Sequence, residues 1–268
     1  RMKLKERQME RKMKKNDLIK LAVLGALVLI VYIPSLIWMY ERWTVKDTYY
    51  SHGFLVPLIS AFLAWQKREK LVKLKISPSN SGWLLLGPSV LIYVISALLR
   101  INFSAALSLI PVLIGIVLLF LGKEFLKELL FPLLFLIFMI PLLSVAIVNL
   151  SFKLKIFAAQ VSTFIVNRLG VPAIREGSVI KTMHSYLIVE DPCSGIRSLI
   201  ALIALGALMA YFSNISKTKK AILFLSSIPI AIGTNVIRIV ALSLASEIYG
   251  AKFATGWFHD TMGVLIFV

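Results

Sequence analysis

Cys193 is the single cysteine of the 268-residue chain, and it lies in Val189–Ser198, which reads V-E-D-P-C-S-G-I-R-S. A polar, strand-like stretch meets a long apolar run here. Asp191 suits a helix N-cap and Pro192 the first helical position. Cys193 and Ser194 would then fall in the first turn. The positive end of the helix dipole lowers the pKa of a thiol there and favours the thiolate. Backbone N–H groups of a first turn have no intrahelical partner and can hold an oxyanion beside the sulfur. This is the outline of a cysteine nucleophile. A lone cysteine is inert unless other polar groups reach it.

Whether they can depends on the elements around it. Hydrophobic residues make up 59% of the chain and charged ones 16%, which argues against a water-soluble globule. Several apolar runs reach the roughly 20 residues that cross a bilayer as a helix. The formal charge of +17 does not point to nucleic acid, because Lys and Arg cluster in short loops between apolar runs. That is the positive-inside pattern of a multispan membrane protein. One cysteine excludes an intramolecular disulfide framework.

The pattern predicts an all-α integral membrane protein of about eight spans, with residues 1–20 a basic cytoplasmic tail and residues 21–268 one polytopic domain. The tail carries nine Lys/Arg against three Asp/Glu. It reads as a solvated segment, or as a surface helix on anionic lipid. The expected spans are Leu21–Tyr40, Tyr50–Trp65, Trp83–Leu99, Phe103–Leu121, Leu129–Leu150 with a kink at Pro141, Ser194–Phe212, Ala221–Leu244, and an eighth from Phe258. The eighth stops inside an apolar run at Val268, which predicts a span continuing past the given sequence. Leu21–Tyr40 is too long for a signal-peptide core and lacks a small-residue cleavage site, so it reads as a retained anchor. Ser151–Leu169 mixes Lys153, Lys155, Gln160, Asn167 and Arg168 with apolar residues, which predicts an interfacial or half-inserted helix. Val171–Val189, with Gly177 as turn residue, predicts a small extracytoplasmic β-hairpin or extended element. All five tryptophans fall at or beside expected span ends, where an aromatic belt belongs.

This topology brings distant polar residues to one membrane face. Cys193 precedes the sixth span on the outer side, and the Lys217–Lys220 loop is inner. Arg238 lies 17 residues beyond Ala221, about 25 Å along a helix axis, and so returns to the outer side. His259 opens the eighth span there, and His52 the second. An arginine within a span is costly and marks a functional site unless it snorkels to the headgroups. Asn235 is three residues before Arg238, on the same helical face, which favours a polar cavity. His259 can carry a proton near neutral pH. Arg197, one turn past Cys193, reads as a headgroup contact or a partner of Glu190. His184, in the predicted hairpin, has no evident role. One cysteine and three dispersed histidines form no recognisable metal-ligand set, no phosphate loop or H-E-x-x-H occurs, and no cofactor is expected.

P-C-S-G-I-R-S, G-T-N-V-I-R-I and F-H-D-T-M-G-V, in that order, together with the early S-H-G-F-L-V-P, resemble the exosortase/archaeosortase family from about Tyr49 to the end. The resemblance implies a multi-pass enzyme of the plasma (inner) membrane with its active site outside and catalytic residues at Cys193, Arg238 and His259. Ser194, Gly195, Arg197, Asn235 and His52 fall where supporting or substrate-binding residues would lie. The implied activity is that of a cysteine protease or transpeptidase. The implied partner is a secreted protein ending in a Pro-Glu-Pro-like motif, a transmembrane helix and a basic tail, with water or an amine as acceptor. Two other classes stay open on the residues alone. One is an exopolysaccharide export or transport component, for which Cys193 is dispensable. The other is a non-catalytic membrane assembly partner that tolerates change at all three sites.

The topology is tested by cysteines placed at Ser216 and Ala254. An impermeant thiol reagent on intact cells should label Ala254→Cys and spare Ser216→Cys; labelling of Ser216→Cys overturns the orientation.

Overall fold

The computed structural model describes residues 11–12, 15–45, 48–189, 194–251, 253 and 261. The chain divides into two compact units, Arg1–Leu142 and Leu143–Val268.

The first unit is helical. The expected first span is two helices, α1 (Lys15–Val31) and α2 (Ile33–Thr44), bent 64° at Tyr32. Pro34 accounts for the bend: it has no N–H, and its ring clashes with the carbonyl four residues back. Tyr32 at the break is buried, and its hydroxyl bonds Ser108 Oγ at 2.8 Å. α3 (Leu55–Gln66) and α4 (Arg68–Lys73) follow, then α5 (Trp83–Leu98), α6 (Asn102–Leu107), α7 (Leu109–Phe120) and α8 (Lys123–Phe135). Pro132 in α8 deprives the Glu128 carbonyl of its usual donor. Lys67 Nζ replaces it at 2.9 Å and also pairs with the Glu128 carboxylate.

Strand β1 (Arg11–Lys12) pairs antiparallel with β2 (Lys75–Ile76). The next residue, Ser77, bridges to Gly122 between α7 and α8. Arg11–Lys12, the strand after α4 and the α7–α8 turn are thus gathered at one end of this unit. Gly122 has φ +97°, and an added Cβ would lie 2.0 Å from the Ser77 carbonyl oxygen, so no other residue fits there.

The expected fifth span, Leu129–Leu150, is not one helix. α8 ends at Phe135, a 3₁₀ turn covers Leu136–Met139, and Pro141 falls in a break before α9 (Ser144–Arg168). Ser151–Leu169, expected as an interfacial or half-inserted helix, is correspondingly no separate element. It is most of a 25-residue helix long and apolar enough to cross a membrane. Its lysines are two residues apart on a mostly apolar helix, and long lysine stems can carry their charge to an interface.

The second unit is built on α9, α10 (Ile196–Phe212) and the 33-residue α11 (Lys217–Tyr249). α9 ends in a Schellman motif: Gly170, at φ +89°, donates to Asn167 O and Val171 to Val166 O. Asn167 then receives the chain. Its Oδ1 accepts from Ala173 N–H and its Nδ2 donates to Ala173 O, both at 2.8 Å. There begins an antiparallel sheet of three strands, not two: β3 (Ala173–Glu176), β4 (Val179–Thr182) and β5 (Tyr186–Ile188), turning at Gly177 as expected. Ala173, Ile180 and Leu187 point inward and share a core with Ala159 and Val166 of α9 and with Val236, Ile239 and Leu242 of α11.

Among the described residues four helices or continuous helical stretches can cross a membrane by length and composition, five if α1 and α2 are one bent span. α3 and α10 are shorter apolar helices. The chain is an all-α membrane protein with a small three-stranded sheet and, among the described residues, one two-residue strand pair. The expected eighth span lies almost wholly outside the described residues.

Asn167→Ala leaves two main-chain groups of buried Ala173 without partners, at about 1–3 kcal/mol for each buried group. The apparent melting temperature in detergent should fall, and Asn167→Asp, which keeps the acceptor, should fall less. Equal melting of all three proteins would remove Asn167 as the pin of the sheet.

Candidate active site

α11 supplies the backbone of the site. It begins at an N-cap, Ser216, whose Oγ accepts from Lys219 N–H. Its buried residues include Ser227, Ala231, Asn235, Arg238, Leu242 and Ser246, a stripe with helical spacing. Asn235 is 5% exposed and Arg238 9%. A guanidinium that snorkelled to headgroups would be open to solvent or lipid; this one is inside the protein, beside an amide one turn away.

α10 packs antiparallel against α11 through small residues. An added Cβ on Gly206 would lie 3.0 Å from Ser227 Cβ. At the other end of α10, a Cβ on Gly195 would lie 2.9 Å from Asn235 Cγ and Nδ2. Close backbone approach of this kind is how membrane helices pack tightly. Since the helices run in opposite directions, Arg238 is carried about 4.5 Å past Asn235, beyond the start of α10.

The start of α10 differs from the expectation. The long helix begins at Ile196, with Gly195 at the N-cap in left-handed conformation, φ +84° and ψ −1°. Gly195 O accepts from Leu199 N–H at 2.9 Å and from Ser198 Oγ at 3.0 Å. Asp191, expected as the cap, and Pro192 and Cys193, expected in the first turn, lie outside the described residues, as do Glu190 and His259. Ser194 is described: it is 2% exposed, and its hydroxyl has no hydrogen-bond partner among the described residues. Arg197 is half-buried in the first turn of α10.

Within the second unit Gly195, at the start of α10, therefore meets Asn235 of α11, and Ser194, Arg197 and Arg238 are their neighbours along those two segments. His52 belongs to the first unit. It stands in the turn before α3, its ring 6.2 Å from that of Tyr50. The neighbouring Gly53 is pressed against Trp43, whose indole donates to Met139 O at 2.8 Å, and Tyr50 Oη accepts from Leu142 N–H. The S-H-G-F stretch is thus a tight turn fitted to Trp43.

Sequence reasoning left His184 without a role. Its Nδ1 lies 2.7 Å from Glu247 Oε1, and its N–H donates to Glu247 Oε2 at 3.2 Å. Ser185 Oγ and Ser246 Oγ form the adjacent bond. These pairs fasten the β4–β5 turn to the last turns of α11. They join residues more than sixty apart, and no local pattern announces them. Among the described residues no three His, Cys, Asp or Glu side chains gather into a metal-sized group.

Gly170 and Gly195 share the left-handed conformation, but only Gly195 has a neighbour within 4 Å of an added Cβ. Gly170→Ala should cost the conformational strain alone, about 1 kcal/mol. Gly195→Ala should lower the melting temperature by clearly more, since Asn235 must move. Equal losses would mean that the α10–α11 contact is not tight at this point.

The sequence also matches the family model of the transmembrane exosortases, over residues 38–268. No curated protein and no solved structure matches. The match spans both units, including α10, α11 and the short segment that joins the sheet to α10, so the buried polar pair on α11 and the single cysteine two residues before Gly195 occur in a chain that belongs to the transmembrane exosortase family.

Proposed function

We propose that this protein is a membrane-embedded cysteine protease or transpeptidase. It acts outside the plasma membrane on secreted proteins whose C-terminal sorting signal has a Pro-Glu-Pro-like motif, a transmembrane helix and a basic tail. The observation that carries the reading is the buried Arg238, one turn beyond the Asn235 that receives Gly195. A cation secured inside a span, near the start of the helix that follows the only cysteine, is suited to a thiolate and an oxyanion.

The reaction is acyl transfer. The Cys193 thiolate attacks the scissile carbonyl, and the carbonyl electron pair moves to oxygen. Arg238 stabilises that oxyanion. Collapse expels the amine, which takes a proton from His259, and leaves a thioester on Cys193. His259 then accepts a proton from water or an acceptor amine as it attacks the thioester, and the thiolate returns. Ser194 and Asn235 line the approach. The positively charged loops favour an orientation with the tail and the Lys217–Lys220 loop in the cytoplasm, which leaves the site at the face where the motif of such a substrate would emerge.

Cys193→Ala should abolish processing and Cys193→Ser leave at most a trace, because a hydroxyl lacks the low pKa of the thiol. Arg238→Lys tests charge against geometry. A lysine keeps a headgroup contact but gives a point charge that burial can neutralise, in place of a planar fork of donors. Loss of one oxyanion donor costs about 10²–10³ in rate, so Arg238→Lys should accumulate uncut substrate at normal expression while Arg197→Lys is far milder. Near-wild-type processing in both arginine variants would remove Arg238 from the catalytic set, and full processing by Cys193→Ala would end the enzyme reading.

A further inference from the structure

The sheet has two edges, and they are built differently. β3 forms one and β5 the other. β3 carries Arg175 and Glu176, the kind of charge that discourages pairing with another chain. β5 is Tyr186-Leu187-Ile188, without charge, proline or bulge. The register fixes which of its main-chain groups face outward. Thr182 N–H donates to Ser185 O, and Val189 N–H to Ser178 O. Hydrogen-bonded and non-bonded pairs alternate in an antiparallel ladder, so Leu187 bonds to Ile180 across the ladder while Tyr186 and Ile188 direct N–H and C=O to the free edge. Among the described residues these groups find no hydrogen-bond partner. The side chains of Tyr186 and Ile188 are 57% and 47% exposed.

This bare edge is close to the nucleophile along the chain. Ile188 is five residues before Cys193. β5 is held at fixed height by Leu187 in the core and by the Ser185–Ser246 and His184–Glu247 bonds at its start. We propose that the outer edge of β5 is the docking rail for the substrate: the extended peptide on the N-terminal side of the scissile bond adds as a fourth strand, parallel to β5. Parallel is the direction in which peptide and chain run alike, the peptide to its scissile bond and β5 on to Cys193 five residues later. In that pairing Tyr186 and Ile188 each use both main-chain groups. Affinity then comes from the backbone, and selectivity from alternate side chains beside Tyr186 and Ile188.

The proposal rests on the acyl-transfer reading, and the experiment separates the two. The probe is a secreted reporter ending in a Pro-Glu-Pro motif, an apolar span and basic residues, followed by pulse-chase in cells. Ile188→Pro removes one outward N–H without touching a ladder bond, and Ile188→Ala controls for the side chain. Ile188→Pro should slow processing about five- to tenfold relative to Ile188→Ala, the worth of one hydrogen bond. In a second arm, p-benzoylphenylalanine in place of Tyr186, combined with Cys193→Ala, should photo-crosslink to the reporter, whereas the same group in place of Ile174 on β3 should not. Equal processing by Ile188→Pro and Ile188→Ala, or crosslinking at position 186 to lipid alone, overturns the rail while leaving the enzyme reading standing. A reporter left uncut by the unaltered protein overturns the enzyme reading and the rail with it.

Discussion

A guanidinium buried in a membrane-crossing helix is the constraint on which the second unit depends. Removing a charge from water costs several kcal/mol even after relaxation, and more where lipid surrounds the protein. Such a residue persists only if the protein supplies polar surroundings and keeps them in place. α11 does both with one face. The same stripe that holds Asn235 and Arg238 continues as Val236, Ile239 and Leu242 into the core shared with α9 and the sheet, and as Ser246 into the bond with Ser185. The length of α11 follows from this. A helix of 33 residues is longer than a bilayer requires. Its extra turns carry Ser246 and Glu247, to which the β4–β5 turn is fastened.

The close contact of Gly195 with Asn235 relates the arginine to the cysteine segment. Glycine meets two demands there, a left-handed backbone and the absence of a Cβ. A P-C-S-G-I-R-S stretch read as a sequence suggests an ordinary helix start at Asp191. The fold starts the long helix later, because Gly195, left-handed and pressed against Asn235, interrupts helical geometry before Ile196.

What could be read from the residues is what depends on local composition. Apolar runs, basic loops, the turn at Gly177 and the burial of Arg238 with Asn235 were all legible, since each follows from hydropathy, charge or helical spacing. Pro34 was equally visible, yet a 20-residue apolar run hides the break it causes. Pro141 marked an interruption, but whether a proline kinks a helix or separates two depends on packing. The lysines of Ser151–Leu169 suggested a shallow helix because composition cannot show that Ala158, Ala159 and Val166 face a core. The third strand is three residues long, below what alternation can signal. His184 gained a partner only through a contact across 63 residues.

The sheet and the arginine are consequences of one packing arrangement. Leu187 and Ile180 fill the space beside Ile239 and Leu242, and Ile239 follows Arg238 directly in the chain. A looser core would shift the strand that leads into the cysteine segment and the helix that carries the guanidinium. Polar bonds alone would not prevent this. The His184–Glu247 pair has His184 largely exposed, where pairs contribute little, and the Ser185–Ser246 bond, its Ser246 buried, is a single hydroxyl contact. They set register, while the apolar contacts supply the energy. The proposed acyl transfer is sensitive to misplacement of reacting groups by an ångström, and a small sheet seated on the arginine's own helix ties Val189, four residues before Cys193, to that helix.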